Sequence, residues 1–213
     1  MANLESCQKS NNSAYKNWGH HGPPLISVYF VPLDGITVDN VTRLSEDFYQ
    51  NFASSQWEPY KVDIEKHAVT PPQCLNDSKS RFRATKVIKW LNEKYNYIWS
   101  GPTDKNNPVA YYLIGVTDQD ISTSAHNRED YGILGLSYLG KGNVSIISTH
   151  RLKRRKDLWK LAVHEFCHGF YGCPHCKNDD PSCIMSDAKG GNPHFELKDS
   201  LCLDCANICL IGD

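Results

Sequence analysis

The segment 164–176, HEFCHGFYGCPHC, places three histidines and three cysteines within thirteen consecutive positions. Two of the histidines, His164 and His168, are four residues apart, so on a helix they project from the same face about one turn apart. At this spacing two imidazoles can bind one zinc ion, and Glu165 is placed to contact a metal-bound water. The H-E-x-x-H pattern therefore predicts a zinc ion that lowers the pKa of water and a glutamate that takes its proton.

The residues around this motif favour a buried helix, predicted from about residue 153 to residue 171. An apolar stripe lies nearly opposite the two histidines and consists of Trp159, Val163, Phe166 and Phe170. Buried histidines and a buried glutamate cost free energy unless they have partners. Histidines that only complete a packed core would leave Glu165 unexplained, so a bound metal is the better interpretation.

A third ligand is predicted just beyond this helix. Gly172 indicates the helix end, since glycine readily adopts the left-handed conformation found there. The turn that follows brings His175 back toward the histidine pair. Three protein ligands leave one zinc position open for water, which is the arrangement of a catalytic site.

Cysteines later in the chain form a C-x6-C…C-x2-C pattern, made of Cys176, Cys183, Cys202 and Cys205. Four thiolates complete the tetrahedral coordination of zinc, so the pattern predicts a structural site, with two disulfides as the alternative. Seven of the nine cysteines lie between residues 167 and 209, and their clustering beside histidines favours metal binding in a reducing compartment. The other three in this stretch are predicted to be small buried packing residues: Cys167, Cys173 and Cys209.

Composition argues against several kinds of partner. The 213 residues are 40% hydrophobic and 22% charged, with a net charge of −1, so nothing favours nucleic acid or an anionic membrane. No apolar run approaches the roughly 18 residues that a membrane span requires. The polar segment 1–24, which includes His20 and His21, is predicted to be a poorly ordered, solvated tail. It contains no secretory signal, so a cytoplasmic location is expected, although a processed start would look the same.

The pattern of apolar residues predicts a mixed α/β sheet, with the element order β-α-β-α-β-β-β-α. Strands are expected at 25–33, 57–64, 109–117, 131–139 and 144–148. Helices are expected at 41–53, capped by Asn40, and at 80–95, ahead of the metal-binding helix.

Taken together, the motifs resemble those of the archaemetzincin family of zinc metallopeptidases. The matching pieces are HEFCH, GCPHC, CIM and CLDC, in the same order, and the resemblance covers about residues 25–205. It implies a compact metzincin-like α/β domain over 25–213, with a mixed twisted sheet, a buried active-site helix and a smaller C-terminal subdomain from about residue 173. It also implies an enzyme that cleaves peptides or proteins and holds two zinc ions, and a monomer is expected.

The resemblance further implies a role for each matching residue. The catalytic zinc would be held by His164, His168 and His175. The structural zinc would be held by Cys176, Cys183, Cys202 and Cys205. Glu165 would act as general base and then general acid, and Met185 would be the methionine of the turn beneath the catalytic metal.

The sequence departs from the family pattern at two points. Three residues rather than two separate His168 from Gly172, which moves His175 one place later, and the gap between the first two ligand cysteines is two residues longer. The extra residue can be absorbed at the helix end, which keeps His175 as the predicted third ligand, with Cys173 as the alternative. The alternative function is a non-catalytic zinc protein that uses the same fold to bind peptides or partners.

Overall fold

The computed structural model describes residues 25–56, 60–99, 109–138, 140, 142–178, 180–187 and 195–208. The predicted tail at 1–24 and the predicted packing residue Cys209 lie outside these ranges. Within them, no helix has both the length and the apolar character that crossing a bilayer requires.

The described strands and helices follow the predicted α/β alternation closely. The strands are β1 Leu25–Pro32, β2 Tyr60–Ile64, β3 Phe82–Arg83, β4 Val109–Thr117, β5 Ile121–Ala125, β6 Arg128–Ile133, β7 Gly135–Leu136 and β8 Val144–Ser148. The α-helices are α1 Val38–Asn51, α2 Ala84–Lys94, α3 Leu158–Phe166 and α4 Leu203–Ala206.

A five-stranded sheet with the order β2-β1-β4-β8-β7 forms the centre of the fold. The first four of these strands are parallel to one another, whereas β7 runs antiparallel to β8 at the edge. The inner strands β1, β4 and β8 are apolar along most of their length, as expected for strands that are covered on both faces.

Helices cover both faces of this sheet. On one face α1 packs against α3, where the rings of Phe48 and Phe166 lie with their centroids 5.8 Å apart. On the other face α2 packs through apolar residues that include Leu91, which is fully buried. The prediction of an α/β fold in which the helix of the H-E-x-x-H motif is buried is therefore confirmed.

A second sheet of three strands, in the order β3-β5-β6, includes a hairpin that the sequence did not reveal. The hairpin turns through His126 and Asn127, both of which have positive φ, and its strands are mostly polar and half-buried. The strand predicted at 131–139 is divided: its first residues complete β6, and Gly135–Leu136 form the edge of the large sheet.

The helix boundaries differ from the predicted ones for local reasons. Thr37 rather than Asn40 caps α1, since its hydroxyl oxygen accepts a hydrogen bond from the Asn40 N–H. Phe82 and Arg83 pair with β5, so α2 begins only at Ala84. The metal-binding helix α3 likewise begins later than predicted, after a 3-10 turn at Arg155–Asp157.

Candidate metal centres

Helix α3 ends in a turn of unusual width. A π-helical turn, Cys167–Tyr171, follows Phe166 directly, and Gly172 then adopts a left-handed conformation with φ of 71°. The Gly172 N–H donates to the carbonyl of Cys167, five residues earlier, whereas an α-helix would use the fourth. Such a turn holds one residue more than an α-helical turn. The extra residue ahead of Gly172 is therefore accommodated inside the helix end.

The predicted histidine ligands lie together beyond this turn. Ligand atoms of His164, His168 and His175, the three-histidine cluster, are all within 4.8 Å of one another. The first two side chains are buried, whereas His175 is exposed at the end of the loop. One wall of the cluster is thus open to solvent, as a site that admits water and substrate requires.

The tautomers of the two buried histidines explain why a cation fits between them. The Nδ1 atom of His164 lies 2.8 Å from the Ile184 carbonyl, and that of His168 lies 2.5 Å from the Cys173 carbonyl. A carbonyl only accepts, so each Nδ1 carries a hydrogen and, in a neutral ring, each Nε2 presents a lone pair. These two Nε2 atoms are 3.0 Å apart, close to the roughly 3.3 Å expected for two ligands of a tetrahedral zinc. Facing lone pairs repel unless both bind one cation, so the donor set fits a metal ion.

The burial of these histidines predicts an acid-sensitive metal-free protein. Burial lowers the pKa of His168 from 6.5 to about 4 and also lowers the pKa of His164. Between pH 6.5 and about pH 4 the unfolded chain binds more protons than the folded chain. The free energy of unfolding therefore decreases as pH falls through this range. Urea titrations with a chelator present should give a lower midpoint at about pH 5 than at about pH 7. Equal midpoints would contradict this prediction.

The carboxylate of Glu165 lies against the edge strand β7. The Ser137 hydroxyl donates to its Oε2 at 2.8 Å, and a Cβ added at Gly135 would lie only 2.5 Å from its Oε1. Glycine at this position therefore makes room for the carboxylate. Burial raises the pKa of Glu165 to about 8, whereas a cation on the neighbouring histidines would favour its charged form. The charge of this group therefore depends on whether a cation is bound at the histidines.

The predicted cysteine ligands form a second cluster. The Sγ atoms of Cys176, Cys183, Cys202 and Cys205, the four-cysteine cluster, lie within 4.8 Å of one another. All four are free thiols, and Sγ of Cys176 lies 3.7 Å from Sγ of Cys202, far beyond the ~2.05 Å of a disulfide. The distance matches the roughly 3.8 Å between sulfur ligands of a tetrahedral zinc. The donor set therefore fits zinc, and the alternative of two disulfides does not hold for these four residues.

Cys173 requires a correction. It is buried, as predicted, but it is disulfide-bonded rather than being a free packing thiol. A disulfide sulfur cannot act as a thiolate ligand, which removes the alternative to His175 as third ligand. Cys167, by contrast, is a fully buried free thiol, as the packing prediction required.

A short turn, residues 183–186, connects the two clusters. Cys183 contributes a thiol to the four-cysteine cluster, and the carbonyl of the next residue, Ile184, accepts the hydrogen bond from His164. Met185, the predicted turn methionine, is fully buried, and its carbonyl accepts from the Cys176 N–H at 2.9 Å. Displacement of this turn would therefore disturb both clusters together.

Two further residues of the site, Ser137 and Lys198, are not predicted by any pattern in the sequence. Ser137 contacts the Glu165 carboxylate, and Lys198 donates to two carbonyls of the 183–186 turn. Each is a single polar residue outside any ligand motif. Only the folding of the chain brings them to the clusters.

The fold and the two clusters define an α/β domain with two candidate zinc sites, one of histidines and one of cysteines. Three solved structures resemble it closely in fold. Archaemetzincin from Archaeoglobus fulgidus, complexed with malonate, is 22% identical with a TM-score of 0.62 over 85% of this chain and 99% of that one. Archaemetzincin from Methanopyrus kandleri is 18% identical with a TM-score of 0.63, over 86% and 93%. A zinc-dependent peptidase from Methanocorpusculum labreanum is 20% identical with a TM-score of 0.65, over 85% and 99%.

The chain therefore has the archaemetzincin fold that its motifs indicated. No model of a known protein family matches the sequence. No curated protein matches it either. The likeness therefore rests on three-dimensional structure.

Proposed function

We propose that this chain is a zinc-dependent metallopeptidase whose catalytic zinc is held by the three-histidine cluster. The observation that carries the proposal is the pair of Nε2 atoms that face each other at 3.0 Å on the helix end that also carries the buried Glu165. The names of the structural neighbours, archaemetzincins and a zinc-dependent peptidase, support the same reaction class. A second zinc, bound by the four-cysteine cluster, has a structural role in this proposal.

The residues of the chain supply the proton transfers. Zinc held by His164, His168 and His175 would supply Lewis-acid chemistry at this site, namely a lower pKa for water and polarisation of the scissile carbonyl. Glu165 removes a proton from the attacking water through its carboxylate and then delivers that proton to the leaving amine. His164 and His168 would remain neutral, since burial lowers the pKa of both rings, and the Nδ1 hydrogens donated to backbone carbonyls keep each Nε2 lone pair free for the metal.

The edge strand β7 would align the substrate. It is the last strand of the five-stranded sheet and pairs with β8 on one side, and Glu165 lies directly against it. An extended peptide added to the other side would be fixed by main-chain hydrogen bonds, with its scissile bond close to the carboxylate. Peptides and proteins are therefore the proposed substrates.

Cleavage of a peptide mixture tests this function. The zinc-loaded protein, incubated with proteome-derived peptides, should generate new termini that mass spectrometry detects, and a zinc chelator should abolish them. A protein that retains its zinc but produces no new termini would instead support a peptide-binding module without catalysis.

The contact between Ser137 and Glu165 leads to a specific prediction. Replacing Ser137 with alanine should lower kcat about tenfold with little change in KM, because a hydrogen bond to a charged group contributes about 1.5 kcal/mol. Steady-state kinetics on one cleaved peptide measures both constants. Ser124→Ala, on the exposed hairpin, is the matched control and should leave them unchanged. A rise in KM at constant kcat would contradict a role in positioning the carboxylate.

A further inference from the structure

Lys198 is a fully buried lysine, with 0% of its surface exposed. Its ammonium group donates to the carbonyl of Cys183 at 3.0 Å and to that of Ser186 at 2.6 Å. Lysine is almost never fully buried unless its charge is compensated. The position of this cation, at the turn that connects the two candidate metal centres, therefore requires an explanation.

The ammonium of Lys198 lies at the four-cysteine cluster. One of the two carbonyls that it contacts belongs to Cys183, whose Sγ is a member of that cluster. A zinc ion with four thiolates carries a double negative charge, and a buried anionic centre of this kind is stabilised by a nearby cation.

The two carbonyls that Lys198 holds are the ends of the 183–186 turn. Between them, the Ile184 carbonyl accepts the hydrogen bond from Nδ1 of His164. The turn is also fixed to the chain around Lys198, since the Ile184 N–H donates to the Ser200 carbonyl at 2.8 Å. One side chain thus lies against the backbone that supplies a thiol to one cluster and orients an imidazole of the other.

We propose that Lys198 is a positioning residue that compensates the charge of the four-cysteine zinc site and holds the 183–186 turn that orients His164. The inference rests on the zinc sites of the proposed function. It couples the two centres: loss of the cation weakens metal binding by the thiolates first, and the shifted turn then weakens the orientation of His164.

Two substitutions separate the charge from the hydrogen bonds. Lys198→Met removes both, whereas Lys198→Gln keeps an uncharged amide donor on a side chain that is one bond shorter. Both variants should bind metal at the four-cysteine site at least about tenfold more weakly, the loss typical of outer-sphere changes at metal sites. Cobalt substitution measures this directly, because thiolate-to-cobalt absorption reports the cysteine site separately from the histidine site. Chelator competition against that absorption gives the affinity of each variant.

Lys160 provides a matched control, since it is a second buried lysine that contacts the same part of the chain. Its ammonium pairs with Asp157 at 3.2 Å and Asp199 at 3.4 Å instead of with the 183–186 turn. Lys160→Met should therefore keep the cobalt–thiolate absorption and its affinity.

The outcomes distinguish this inference from the proposed function. A Lys198→Gln protein with unchanged cobalt affinity at the cysteines would overturn the role of the charge. This variant tests the role of the charge even if Lys198→Met does not fold. Equal losses in the Lys160 and Lys198 variants would overturn it too. A folded unsubstituted protein that gives no cobalt–thiolate absorption would overturn the structural zinc site itself, and the inference with it.

Discussion

Replacing Glu165 with glutamine is expected to lower kcat by about 10²- to 10⁴-fold while both metal ions remain bound. Glutamine has nearly the same size, and its amide oxygen can still accept the hydrogen bond from Ser137. It cannot take a proton from water, however, so the geometry would be retained while proton transfer is lost. Peptide cleavage and zinc content, measured on the same preparation, test both halves of this expectation.

A matched change elsewhere controls for the loss of one negative charge. Glu93 is an exposed residue of α2, on the opposite face of the large sheet from α3. Glu93→Gln should leave cleavage and zinc content unchanged. Undiminished cleavage by the Glu165→Gln protein would exclude this glutamate as the proton carrier.

Replacing His175 with alanine is expected to reduce the zinc content from two ions per chain to about one and to abolish cleavage. His175 is the exposed member of the three-histidine cluster, so its removal leaves only two protein ligands and little packing is lost. The four-cysteine site should stay filled. Metal analysis after dialysis gives the stoichiometry, and thermal denaturation shows whether the fold is intact.

His150→Ala is the appropriate control, since His150 is an exposed histidine outside the cluster. It should keep both ions. A His175→Ala protein that also keeps both ions would show that another group supplies the third ligand.

Sequence patterns were sufficient for those parts of the molecule in which periodicity is strong. The spacing of His164 and His168 predicted a shared ligand face, and the apolar run at 109–117 predicted β4 with its correct bounds. The parts that escaped prediction lack such regularity. The polar β5–β6 hairpin has no buried alternating face, and its conformation depends on two residues with positive φ.

The supporting residues of the site were unpredictable for a different reason. Ser137 and Lys198 act through contacts with residues far away in the chain, so no local spacing can reveal them. Lys198 in particular lies in a polar segment, where a lysine is ordinarily assigned to the surface. Its full burial follows only from the tertiary pairing of Asp199 and Ser200 with the backbone of Ser182 and Ile184.

The π-helical turn at Cys167–Tyr171 has a consequence for how ligand motifs are defined. The position of the third histidine depends on where the chain leaves the helix. A wider last turn adds one residue between the second histidine and the glycine, but the chain leaves the helix at the same place. Deletion of one residue inside this turn should therefore restore an ordinary α-helical ending. A search pattern that fixes the number of residues between the second and third histidines would overlook chains of this kind, and one that allows a variable gap ahead of the glycine would include them.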